Sequence, residues 1–147
     1  MGKRVLELMA TKFVQVREDE QIYQVVEKVV QDREAMVVCV VDREGRLIGT
    51  IRPRELLKAV EVREFGTVRH PFFEGREALH LLTSKYARDV MGGPVSVRPD
   101  DQVEKAVNLM LESGFYEVPV VDERGKVLGK INYFSILATS IESFRNR

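Results

Sequence analysis

One cysteine, Cys39, stands among 147 residues. No internal disulfide can form, and a reducing compartment suits the chain. Net charge is absent as well: 23 Lys+Arg balance 23 Asp+Glu. Nucleic acid as a bulk electrostatic partner calls for a basic excess that this balance lacks. No apolar run reaches the ~18 residues of a membrane span. The start Met1-Gly2-Lys3-Arg4-Val5 is soon followed by Glu7, which does not suit a secretory leader. These absences predict a cytoplasmic protein that spans no membrane. Histidine is scarce too. His70 and His80 lie in a central connector, with no spacing that would activate a nucleophile or hold a metal. The expectation is therefore no catalysis and no metal ligated by protein; magnesium would arrive only with a nucleotide's phosphates.

What is present is repetition. Val38 to Ile51 (VCVVDREGRLIGTI) has a twin in Val118 to Ile131 (VPVVDERGKVLGKI), offset by 80 residues and identical at seven positions. An apolar β-branched run, a charged turn closed by glycine and a second apolar run predict a buried hairpin. Gly45 and Gly125 stand where a tight loop demands positive φ. Upstream, Val14-Gln15-Val16 pairs with Val95-Ser96-Val97, and each is predicted to be a short strand. A helix follows, with its apolar stripe on Ile22, Val25, Val26, Val29 and Val30, repeated as Val103, Ala106, Val107, Met110 and Leu111. Asp19 and Asp100 are the candidate N-caps, and Gly114 the helix-ending residue. A second helix follows each hairpin. Pro53 starts one, running through Leu56, Leu57 and Val60; Asn132 caps the other, which carries Ile136, Leu137, Ile141 and Phe144.

Each copy is thus strand–helix–strand–strand–helix, an α+β unit too small for a comfortable core of its own. Two copies packed face to face would cover each other's apolar sheet surfaces. The predicted boundaries are 1–60 and 86–147 for the copies and 61–85 for a connector. The connector contains Phe65, Phe72 and Phe73, which suit packing onto the body, and a short helix through Ala78, Leu79, Leu81 and Leu82. Cys39 reads as a small buried hydrophobe. Pro119 cannot donate to a ladder and belongs at an edge or a strand entry, where backbone can face a ligand.

The ordered set Arg88-Asp89-Val90-Met91, Val95-Ser96-Val97, Val118 to Asp122, Gly125 and Gly129-Lys130-Ile131 resembles the tandem cystathionine-β-synthase (CBS) domain pair, or Bateman module. The first copy matches through Leu8-Met9, Val14 to Val16 and Val38 to Ile51. The resemblance implies two β-α-β-β-α repeats about a pseudo-twofold axis, forming one compact sandwich. It implies dimerisation, and an adenosyl ligand (AMP, ADP, ATP or S-adenosylmethionine) in clefts between the repeats. It also implies that occupancy is signalled to a partner protein, with no required cofactor.

The family's ribose–phosphate motif follows the Gly-x-Ile as Thr or Ser, two residues, then Asp, at a helix N-terminus that suits phosphate. Here those positions hold Arg52 and Glu55 in copy one, and Asn132 and Ser135 in copy two. Glu55 keeps a carboxylate, and Arg52 and Arg54 put positive charge at the helix entrance beside Pro53. Tyr116 and Tyr133 suit either stacking on adenine or packing at the core or rim. Val16, Met36 and Val38, with Val97, Val118 and Pro119, complete the candidate ligand-contacting set. The alternative is an interaction and dimerisation module whose pockets have degenerated and which binds no nucleotide.

Overall fold

The computed structural model describes residues 2–65 and 80–146; His70, Phe72, Phe73, Ala78 and Leu79 lie outside them. The element order is α1 (Val5–Leu8), β1 (Val14–Arg17), α2 (Ile22–Gln31), β2 (Val38–Val41), β3 (Leu47–Ile51), α3 (Pro53–Phe65), α4 (Ala87–Val90), α5 (Val103–Ser113), β4 (Glu117–Val121), β5 (Val127–Asn132) and α6 (Tyr133–Arg145). The first sheet runs β1-β2-β3, with β1 parallel and β3 antiparallel to β2. The second sheet pairs β4 with β5 antiparallel.

The two hairpins form as their sequences demand. Gly45 has φ 82° and Gly125 φ 87°. The Asp42 carboxylate accepts the backbone N–H of Glu44 and Arg46, both at 2.9 Å, and Asp122 does the same for Arg124 and Lys126. These backbone donors are the main reason both carboxyls sit below the usual carboxylate range. All four residues of β2 are buried. Val38 and Val40 face the first core, and Cys39, on the alternate face, lies within electrostatic reach of Glu117 and Lys130 of the other repeat.

Four expectations meet a different outcome. Val95-Ser96-Val97 is not a strand: only Val97 bridges β4, through Val97 N–H to Pro119 O at 3.0 Å and Val121 N–H to Val97 O at 2.9 Å. Pro119 has no N–H for the next rung, so the ladder stops there. Asp19 and Asp100 do not cap helices; Gln21 and Gln102 hold the cap positions. Backbone carbonyls from elsewhere take the first helical donors instead: Ile22 N–H reaches Lys85 O at 3.0 Å and Val103 N–H reaches Lys3 O at 2.9 Å. Val30 and Leu111 end the predicted stripes but are 61% and 71% exposed. Eight residues at ~100° each carry them about 80° off the buried line. Finally, α3 runs past Val60 to Phe65, because Ala59 and Val62 pack with Leu81.

The two repeats exchange their leading segments. Val5 of α1 sits in the second core, with Val97, Met110, Val118 and Ile131; Ala87 of α4 sits in the first, with Val16, Ile22, Val38 and Ile51. Ala10 and Lys130 trade two backbone bonds (2.8 and 2.9 Å), as do Gly92 and Thr50 (2.8 and 3.2 Å). Close approach leaves Gly49 and Gly129 no room for a side chain. A Cβ on Gly129 would lie 2.2 Å from Ala10 O, and one on Gly49 2.7 Å from Gly92 O. Val37 of the first repeat packs in the second core, and Leu47 N–H bonds Gly125 O at 2.8 Å between the hairpin tips. Neither repeat closes its core without the other.

Candidate functional site

A cleft opens where β3 hands over to α3. Ile51 is fully buried and fixes the strand end. Arg52 O accepts the Glu55 N–H at 2.9 Å, which begins the helix, and Pro53 takes the first turn, where a missing N–H costs nothing. The Arg52 side chain turns across the seam. One guanidinium nitrogen donates to Ser113 O and another to Glu55 Oε1, each at 3.3 Å, and Cζ stands 5.2 Å from the Phe115 ring centroid. The cavity around them measures about 350 Å³, within the range of small-ligand sites. Thr50, Arg52 and Glu55 come from the first repeat; Val95, Ser113 and Phe115 come from the second. The Val90–Gly93 strap closes one side, held by Thr50 Oγ1 donating to Gly93 O at 3.2 Å. The cleft thus offers an aromatic edge, a carboxylate that can accept hydroxyls and a guanidinium with further donors for an anion.

The corresponding stretch of the second repeat is built differently. Glu117, fully buried, stands at the position of Val37. Its Oε1 accepts Met36 N–H at 2.9 Å. Its Oε2 accepts Asn132 Nδ2 at 2.8 Å and pairs with Lys130 Nζ at 3.3 Å, where the lysine side chain is 8% exposed. Asn132 Oδ1 also caps α6 by accepting Phe134 N–H at 2.7 Å. Cys39 lies near this pair. Burial, then the Glu117 charge, pushes its thiol up to about 12, with Lys130 opposing.

The structure brings Arg52, Pro53 and Glu55 together at the first cleft, with Arg54 exposed beside them. The other candidates are placed elsewhere. Val16 and Val38 fill the first core, and Val97 and Val118 the second, at 1% exposure or less, so their side chains are packing groups. Pro119 is buried opposite Lys130, with its carbonyl taken up by the Val97 N–H. Met36 contributes its N–H to Glu117. Asn132 holds the helix cap, and Ser135 is half-buried one turn further along. Tyr133 packs against the second core, and Tyr116 makes an edge contact with it (centroids 5.7 Å, 64°) while remaining 55% exposed. Sequence reading missed Ser113, Phe115, Glu117 and Lys130. A signal for the last two was present: they are opposite charges inside otherwise apolar runs. Among the described residues, no group of three or more His, Cys, Asp or Glu is placed to hold a metal ion, and His80 Nε2 sits against Asp89 O. No helix among them is long and apolar enough to cross a membrane.

Against known proteins, the CBS domain family matches the chain twice, over residues 5–62 and 87–142. A solved CBS domain-containing protein from Thermotoga maritima is 30% identical with a TM-score of 0.77, the match covering 96% of each chain. A CBS domain pair solved in complex with 5′-methylthioadenosine and S-adenosyl-L-methionine has a TM-score of 0.74 at 16% identity, covering 97% of this chain and 99% of that one. CBSX2, solved in complex with AMP, gives 0.73 at 23% identity, covering 96% and 98%. Two curated relatives are longer: a 52-residue match, 42% identical, covers 35% of this chain and 26% of an uncharacterized protein of Methanopyrus kandleri, and a 134-residue match, 27% identical, covers 88% of this chain and 25% of the magnesium transporter MgtE of Thermus thermophilus.

Proposed function

Because the chain belongs to the CBS domain family and carries two copies of its repeat, we propose that it is a non-catalytic regulatory module of the cytoplasm. It senses an adenosyl ligand, either AMP, ADP, ATP or S-adenosylmethionine, in the seam between the repeats, and signals occupancy to a partner protein. The observation that carries this reading is the Arg52–Glu55 cleft, whose two walls come from different repeats. The ligands in the solved relatives, AMP in one and methylthioadenosine with S-adenosyl-L-methionine in another, support the adenosyl class. Glu55 accepts ribose hydroxyls, Arg52 meets an anion, and Phe115, 8% exposed beneath the guanidinium, leaves only its edge for a base. Signalling follows from the same geometry. Arg52 ties the first repeat to Ser113 O of the second. A ligand that recruits this guanidinium binds the two states of the seam unequally, which is the condition for shifting between them.

Calorimetric titration and thermal shift with AMP, ATP and S-adenosylmethionine test the reading. At a hundredfold excess over the dissociation constant, one bound ligand stabilises the fold by about 2.7 kcal/mol. No response to any of the three at millimolar concentration removes the sensing role.

A second reading, an interaction module that binds no nucleotide, is favoured by a separate observation. Phe134, Leu137, Ile141 and Phe144 line one stripe of α6 at 50–68% exposure, beside Leu111 of α5. An apolar row of that extent marks an association face, and a second copy is the occupant the family suggests. Both readings include a homodimer. Sedimentation velocity of the wild type beside Leu137→Glu checks it: the wild type runs as a dimer and the variant as a monomer.

A further inference from the structure

We infer that the two repeats are unequal receptors: the chain takes one adenosyl ligand, at the Arg52–Glu55 cleft, and the equivalent place in the second repeat is closed by an internal ion pair. This rests on the adenosyl reading above and narrows it. The 80-residue offset maps Thr50, Arg52 and Glu55 onto Lys130, Asn132 and Ser135. In the first repeat the cation and the carboxylate stand at the mouth of a cavity, with side chains 38% and 30% exposed. In the second repeat the charges have moved inward. Glu117 has no exposed surface and the Lys130 side chain almost none.

The strongest polar groups there, Asn132, Lys130 and Glu117, are already engaged with one another, which leaves the Ser135 hydroxyl in place of the first repeat's carboxylate. Asn132 Oδ1 holds the Phe134 N–H, its Nδ2 donates to Glu117, and the Lys130 ammonium is turned onto the same carboxylate. Glu117 completes its set with Met36 N–H from the first repeat. Among the described residues, no buried side-chain N or O is left without a partner. A ribose or phosphate entering this side would have to break bonds among buried groups and replace each of them. On the other side it meets a solvent-accessible guanidinium and carboxylate.

The experiment uses the full chain and three readouts. Calorimetry with AMP, ATP and S-adenosylmethionine gives the stoichiometry; saturation at one ligand per chain is expected. Glu55→Ala, a change in the first turn of α3 that leaves both cores intact, weakens that binding at least tenfold. In ¹⁵N spectra, the Gly92 and Gly93 amides of the first strap shift on titration, while Ala10 and Thr11, at the corresponding strap of the other side, hold their positions. Two ligands per chain, or binding that survives Glu55→Ala with shifts at Ala10 and Thr11, overturns the inference and leaves the adenosyl reading standing. Failure of AMP, ATP and S-adenosylmethionine alike to bind removes the two together.

Discussion

Lys130→Met breaks a buried ion pair from one side, and its cost can be worked out from the contacts. The ammonium lies 3.3 Å from Glu117 Oε2 in a place where the lysine side chain is 8% exposed and the glutamate 0%. Removing one partner of a buried pair costs about 3–5 kcal/mol, because the remaining charge is left desolvated. Two donors still serve Glu117 after the substitution, Met36 N–H and Asn132 Nδ2. Hydrogen bonds to a charged group contribute about 1.5–3 kcal/mol each. The loss therefore falls at the low end, about 3 kcal/mol. With a urea slope of about 2 kcal/mol/M, the unfolding midpoint drops by about 1.5 M. Melting falls by about 6–12 °C for a chain of this size. Glu117→Gln alone strands Lys130 in the same way. The double variant has no stranded charge, so it is less destabilised than the sum of the singles, with a coupling energy of about 2 kcal/mol. Urea unfolding followed by circular dichroism on the four proteins gives the cycle. A cost below about 1 kcal/mol for Lys130→Met, or additive singles, would refute the claim that this buried pair is energetically coupled.

Gly129→Ala places a Cβ 2.2 Å from Ala10 O, a backbone atom that cannot swing aside; it destabilises by roughly 1–3 kcal/mol in chemical denaturation, whereas Gly93→Ala, which meets nothing within 4 Å, changes stability by less than about 0.5 kcal/mol. The Cys39 thiol, pushed up to about 12 by burial, does not react with a thiol reagent at pH 8 in the native state, and its labelling follows global unfolding; because its folded value lies above the unfolded one, the stability it contributes is fully present below about pH 9 and is lost as pH rises from there, which alkaline urea titrations detect. Asp42, Asp89 and Asp122 are held below the ordinary carboxylate value chiefly by backbone N–H donors; their contribution is present above the unfolded value near 3.8 and is lost as pH falls through the depressed folded values, and Asp42→Asn with Asp122→Asn flattens that acid limb of the melting-temperature curve.

How much of this was legible depends on whether a residue answers to its own neighbourhood. Gly45 and Gly125 were readable because a tight hairpin turn imposes its φ locally, and the same holds for Gly114 at φ 71°, for Pro53 in the first turn of α3 and for Asn132 as a cap. Asp19 and Asp100 failed for the opposite reason. Local capping chemistry was overruled by carbonyls of Lys85 and Lys3, which arrive from elsewhere in the chain. No periodicity announces that α1 belongs to the second core and α4 to the first. At the candidate cleft, Arg52 and Glu55 are nameable from their place after the strand, but Ser113 and Phe115 line the same cleft only because the other repeat folds across the seam.

The positions where the copies disagree are the most informative. The turn and core positions agree: Val38, Val40, Asp42, Gly45, Gly49 and Ile51 all recur 80 residues later. Four disagreements in charge, Val37 against Glu117, Thr50 against Lys130, Arg52 against Asn132 and Glu55 against Ser135, fall along the seam. Each repeat keeps one cation and one carboxylate there. In the first they are separated by a single helical turn and lie open to solvent. In the second they span adjacent strands and are buried, where a pair left intact is tolerated and a broken one is not. Symmetry in the strands and turns therefore explains why the two halves join. The difference lies in where the charges sit: one side of that joint presents a solvent-accessible cation and carboxylate, and the other holds its pair buried between two strands.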